Sequence, residues 1–236
     1  MSVQYNTSPT VTNGLFLCLD AASKKSYPGT GTTWFDASAY STNLTLAGSG
    51  YTYSSNGFFT NSADGALGTI SNLTTASNNF SYDVWAKPTA THEIDAQSSG
   101  GTNGISGQKY LIGANQAGAV NGGAGISCGT NGISVYEHGD GYMPPLLVWS
   151  GSVSSTVMSH IVVVYTSKQP QLYVNGVLVA TGLTSTKTAV VVSNTVGFGP
   201  YGFFTGDIAA VRFYDRSLSQ SEITQNFNAL KGRYGL

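Results

Sequence analysis

Residues 160–180 read HIVVVYTSKQPQLYVNGVLVA. HIVVVYTS is apolar at odd and even positions alike, so as a strand it must be covered on both faces, in the middle of a sheet. Further on, Asn175–Gly176 separates two apolar runs and supplies the positive φ values of a type I′ hairpin turn. An antiparallel sheet packed on both sides is therefore written into one short stretch.

Similar segments recur along the chain. GLFLCLD (14–20), FSYDVWAK (80–87), KYLIGA (109–114), NGISVYEH (131–138), LLVWSG (146–151) and IAAVRFYD (208–215) are short and β-rich, and clusters of Gly, Asn and Ser separate them. In FSYDVWAK, Phe80, Tyr82, Val84 and Ala86 fall on one face, and Ser81, Asp83, Trp85 and Lys87 on the other. The Gly and Asn residues at 121–125 and 129–132 predict further tight turns or bulges. One helix is predicted, at the end. Ser219 and Glu222 form a capping box, Ile223, Phe227 and Leu230 follow at helical spacing, and Lys231 with Gly232 suit its C-terminal end. Many short strands and one terminal helix give an all-β sandwich or jelly roll.

Charged residues make up 9% of the chain, far below the usual ~25%, so Ser, Thr, Asn, Gln and Gly must supply the polar surface. The net charge is −1 and the ten basic residues are scattered. Without a basic stripe, no nucleic-acid partner is expected. No apolar run approaches the ~20 residues that span a bilayer, so no membrane insertion is expected. The opening MSVQYNTSPT has neither the basic start nor the apolar core of a secretory signal, and export by a non-secretory route is the expectation. With no linker or repeat, one domain is predicted over 1–236: an arm (1–13), a sandwich (14–217) and a helix with its tail (218–236). Cys18 and Cys128 lack a spacing motif and are expected to be buried thiols.

The order of NGLFLCLDAASKKSYPGTGTTWFDAS, FSYDVWAKPT, MSHIVVVYTSKQPQLYVNGVLVATG and FTGDIAAVRFYDRSLSQSEITQNFNALKGRYGL resembles the laminin-G-like, concanavalin A-like jelly rolls. The resemblance runs from about Asn13 to Leu236. Ile208, Val211, Tyr214, Arg216, Leu218, Glu222 and Ile223 match the family's closing strand and helix. It implies a jelly-roll β-sandwich with one short C-terminal α-helix. The opening and the NFNALKGRYGL ending look like versions found in virion proteins of tailed bacteriophages. That likeness implies a non-enzymatic virion structural protein, made in the host cytoplasm and displayed on the virion surface. It would be a capsid decoration, fibre component or tail adhesin, with capsid or tail proteins and a host-surface glycan as partners. The alternative is an extracellular bacterial carbohydrate-binding module, and a glycoside hydrolase comes third. Where relatives often carry Asp-Glu in the closing strand, this chain has Ala209 and Ala210, so no structural calcium is expected, although Asp207 remains.

THEIDAQSSGG (91–101) resembles half of a retaining-glucanase signature. Retaining hydrolysis needs two carboxyl groups about 5–5.5 Å apart. Glu93 and Asp95 match the first half, but Gln97 and Ser98 stand where the second Glu should be. The stretch lies in a Gly/Ser-rich connection and is expected to be a solvated polar loop, so no catalytic residue is assigned. Glu137, His138 and Asp140, with His92, Glu93 and Asp95, lack metal-ligand spacing, and neither metal nor cofactor is expected. A glycan platform is the better reading of this region. Tyr136, Tyr142 and Trp149 would supply flat faces with polar tips, beside His138 and Asp140.

Overall fold

The computed structural model describes residues 9–62, 64–73 and 75–236. Residues 1–8, most of the predicted arm, lie outside them. Two antiparallel sheets face each other across one apolar core, and a C-terminal helix closes the outer face of the first sheet.

In the first sheet the order is Val177–Thr181, Gln169–Val174, Ser159–Thr166, Phe80–Pro88 and Gly206–Tyr214. Gly206–Tyr214 then pairs with Phe58–Asn61 at one end and Leu15–Asp20 at the other, and Tyr51–Ser54 forms the far edge. The alternation in 80–87 holds: Phe80, Tyr82, Val84 and Ala86 enter the core between the sheets, while Trp85 packs under the helix region with Ala209, Ala210 and Leu230. Strand Ser159–Thr166 is covered on both sides. Ile161, Val163 and Tyr165 face the core, and Val162 and Val164 lie with Ile223 and Leu218 on the opposite face. Asn175 and Gly176 adopt φ of 51° and 80°, closing the predicted hairpin.

The second sheet runs Leu147–Trp149, Gly132–His138, Asn121–Gly129, Tyr110–Ile112, Thr195–Val196, Gly68–Ile70, Leu44–Leu46 and Thr33–Trp34. Ala189–Val191 adds parallel to Asn121–Gly129. Residues 121–125 correct the sequence reading. They are neither turn nor bulge but the first half of a nine-residue strand buried in the sheet. Glycine here permits close approach of backbone: a Cβ at Gly123 would stand 2.0 Å from Asn115 O, and one at Gly125 would stand 2.5 Å from Ala114 N. The turn at 129–132 is present, joining this strand to Gly132–His138.

The helix spans Gln220–Leu230 with the reciprocal Ser219–Glu222 capping box. The Arg216 guanidinium pairs with Glu222 at 2.6 Å, and this pairing brings the Glu222 carboxyl down to about 2. Two details differ from expectation. The buried stripe is Ile223, Asn226 and Leu230, with Phe227 only half-buried and stacked on Trp85 and His160. The chain also does not stop at Gly232 but tightens into a 3₁₀ turn over Lys231–Tyr234, and Gly235 takes the left-handed cap at φ 75°.

Asn226 explains its own burial. Its amide donates to Asp83 Oδ2 (2.8 Å) and Tyr214 Oη (3.0 Å), and its oxygen accepts from Val11 N–H (2.8 Å). His160 Nε2 lies 3.1 Å from Asp83 Oδ2, and Arg212 donates to Asp83 Oδ1 at 3.4 Å. Against the burial that disfavours its charge, His160, Arg212 and Asn226 hold the Asp83 carboxyl below its ordinary range. A buried charge persists only when partnered in this way. The network ties residues 9–13 to the fold, since Tyr214 O–H also donates to Val11 O and Gln225 donates to Pro9 O. Both cysteines are free thiols. Cys128 is in the core and Cys18 is half-buried.

Candidate functional site

The segment 91–98 contains no strand, so Glu93 and Asp95 do not share a strand face. Glu93 is exposed. Asp95 is half-buried and accepts from Tyr136 O–H (2.7 Å) and Gln108 Nε2 (3.0 Å). Gln97 accepts from the backbone N–H of Val148, the amide of an edge strand. His92 is buried. Asn131 accepts from its N–H and donates to its carbonyl, and its Nδ1 stands 3.0 Å from Ser127 Oγ. Burial pushes the His92 imidazole down to about 4, so it is neutral at pH 7. The segment is thus a polar loop, exposed at Thr91, Glu93, Ala96 and Gln97 and tied to the second sheet through His92, Asp95 and Gln97.

The packing changes the meaning of the nominated aromatics. Tyr136 is fully buried and forms a cluster with Tyr110, Ala114 and Tyr142. Tyr142 is buried, stacked on His138 at 3.7 Å between ring centroids and met edge-on by Tyr201. His138 is itself buried, its Nδ1 3.2 Å from Ala114 O. Trp149 is half-buried against the core, and only Asp140 among the five is exposed. Neighbouring residues thus pack the rings of Tyr136 and Tyr142, while Trp149 turns towards the core on the opposite face of the sheet. The sequence does not show which segments lie over these side chains.

Glu137 and His138 point in opposite directions, as neighbours on a strand must. Glu137 enters the sandwich, where Tyr165 O–H donates to it at 3.3 Å and Ser185 O–H at 2.5 Å. Burial raises its carboxyl to about 7, with those two hydroxyls, Lys187 and Lys168 pulling the other way. It cannot share a ligand with His138. Among the described residues, no group of three or more His, Cys, Asp and Glu could hold a metal ion. Asp207 pairs with Lys87 at 2.6 Å and accepts from Thr60 at 2.7 Å, while Ala209 and Ala210 are sealed.

Among the open clefts on the side of the second sheet, the two most voluminous are lined largely by hydroxyl, amide and backbone groups. One, of about 450 Å³, lies between loops at the end of the sandwich and is bordered by Ser99, Thr102, Val120, Thr186 and Lys187. The other, of about 440 Å³, is floored by Thr33 and Thr45 and walled by Tyr40, Asn43 and Asn72. Sequence reasoning missed both, because each draws on segments distant along the chain.

No curated protein matches the chain. Among solved structures, Trypanosoma rangeli sialidase in complex with 2,3-difluorosialic acid superposes with a TM-score of 0.59 at 18% identity, over 96% of this chain and 34% of the sialidase. This chain therefore spans about a third of that enzyme. A mutant of HCR/D gives 0.61 at 14% identity, over 91% of this chain and 50% of the other. Domain 4 of AbnA, an extracellular arabinanase from Geobacillus stearothermophilus, in complex with arabinotriose, gives 0.54 at 15% identity, over 92% and 99%. These are likenesses of fold. The family model for laminin G-like domains of the concanavalin A-like lectin/glucanases superfamily matches residues 59–224, well over half of the sequence, and the chain belongs to that family.

Proposed function

We propose that this chain is a non-catalytic glycan-binding module. The observation that carries the reading is the chemistry of the open clefts, which offer hydroxyls and amides, with Lys187 the one charged side chain at the border of the first. Such groups match sugar hydroxyls in donor and acceptor capacity. The carboxylates favour binding over hydrolysis. Glu93 stands exposed on a loop, Asp95 is engaged by Tyr136 and Gln108, and Glu137 is enclosed between the sheets. Support also comes from AbnA domain 4, a module of like fold that was captured with arabinotriose. A glycan array should give reproducible binding to some oligosaccharides, and a reducing-sugar assay on the same ligands should stay at background. Absence of binding across the array, or product release, overturns the reading.

For its setting we take the surface of a phage particle, docked on capsid or tail proteins, on the strength of the sequence resemblance in the opening and the closing helix. Display on a repeating lattice makes weak single-site affinity sufficient. Mass spectrometry of purified virions should detect the chain; if virions lack it, the extracellular carbohydrate-binding module is the setting that remains.

A further inference from the structure

Four threonines from strands far apart in sequence meet in register on the second sheet: Thr33 pairs with Thr45, Thr45 with Thr69, and Thr69 with Thr195. Their strand neighbours Trp34, Leu44, Leu46, Ile70 and Val196 all enter the core. Alternation therefore turns every threonine outward, and registered partners share one face. The hydroxyls of Thr33, Thr45 and Thr69 make no side-chain hydrogen bond among the described residues, whereas Thr195 Oγ1 lies 3.3 Å from Asn115 Oδ1. The free hydroxyls recur at the strand spacing of ~4.8 Å.

The surroundings of this row point to a ligand. Thr33 and Thr45 floor the cleft of about 440 Å³, and among the described residues no Asp, Glu, Lys or Arg lines it. Tyr40 stands at its wall, 54% exposed, an aromatic face with a polar tip that the core does not use. At the other end the row reaches Asn115, which borders a further cleft of about 210 Å³. The cleft at the sandwich end differs. Thr186 donates to Ser99 O, Lys187 donates to Ala119 O, and among the described residues no aromatic side chain lines it.

We infer that the threonine row is the glycan-binding track, and that its ligand is a linear, uncharged oligosaccharide lying across the strands with one sugar ring against Tyr40. A row of equally spaced neutral hydroxyls suits a repeating neutral chain, with one polar contact from each of Thr33, Thr45 and Thr69, while Thr195 at the far end is buried and bonded to Asn115. An anionic glycan would find no cation there. The inference rests on the glycan-binding reading and adds the site and the class of ligand.

The test is calorimetry on the full chain with arabinohexaose, xylohexaose and cellohexaose, and with sialyllactose as the charged comparison. Thr45→Val keeps shape and β preference while removing one hydroxyl, and Tyr40→Ala removes the stacking face. Each should weaken binding of the neutral hexasaccharide about tenfold or less, in the range of one lost polar or aromatic contact, and the double variant more than either. Thr181→Ala, exposed on the edge strand of the first sheet, should leave affinity unchanged. Thr45 and Tyr40 are both exposed, so unchanged thermal midpoints will show that the variants fold. If a neutral hexasaccharide binds wild type and the double variant equally, the row is not the site, although the glycan reading stands. If only sialyllactose binds, the ligand class is wrong. If none of the four binds but the array gives a ligand, the inference is overturned alone; if the array is also empty, both fail.

Discussion

Glu137 should make this protein less stable as the pH rises from 4.5 to 7. Its side chain is fully buried between the sheets, and burial lifts its carboxyl from the ordinary 4.5 to about 7. In that window the folded protein holds a proton that the unfolded chain has lost. The contribution is therefore complete below the unfolded value, falls as pH climbs, and levels off above the folded value. At roughly 1.4 kcal/mol per pH unit the gap amounts to about 3 kcal/mol, a large part of a typical stability of ~5–15 kcal/mol. Glu137→Gln isolates the effect. Glutamine has nearly the shape of the protonated acid, its oxygen can accept from Tyr165, and its amide can donate to Ser185 Oγ. The variant should match wild type near pH 5 and exceed it at pH 8 by up to about 3 kcal/mol, or roughly 6–12 °C in melting temperature for a chain of this size. His92 runs the other way. Its imidazole is lowered to about 4, so its contribution is present above 6.5 and lost as pH falls towards 4. Only the difference between variant and wild type is diagnostic, because the His92 contribution is common to both. Denaturant titrations at several pH values from 5 to 8 would measure it. Parallel curves, or a Gln variant less stable at pH 8, would refute the argument by showing that the ionised carboxylate is well solvated or well paired.

Gly125→Ala should destabilise by about 1–3 kcal/mol, the usual effect of overpacking, since the new Cβ meets backbone atoms of Ala114; an unchanged midpoint in thermal melting would show that the sheet can shift there. Asn226→Leu should cost more than Phe227→Ala in the same assay, because it leaves the buried Asp83 carboxylate and Val11 N–H short of partners, whereas Phe227 is half-exposed. Asp95→Asn should leave stability and glycan binding unchanged, while Asp95→Ala should cost about 1–3 kcal/mol by orphaning Tyr136 O–H; a loss of binding in the Asn variant with stability intact would instead assign Asp95 to the ligand.

The hairpin at Asn175–Gly176, the capping box at Ser219–Glu222 and the two-faced strand 159–166 were legible in the sequence, because each depends on neighbours within a few residues. Strand 121–129 was not. Its glycines read locally as turns, and only the approach of the 114–115 backbone explains them. Of the five residues nominated from the sequence, Tyr136, His138 and Tyr142 pack together. Strand parity, however, is blind to what lies over a face, and the 91–108 segment together with Tyr201 covers them. Asn226 carries no local sign of its burial, since its partners Val11, Asp83 and Tyr214 come from three distant segments. The threonine row is the extreme case. Thr33, Thr45, Thr69 and Thr195 carry no signal individually, and no local pattern links them. Strand order and register decide that their hydroxyls form one line, because a sheet brings side chains together across hydrogen bonds between segments rather than along the chain.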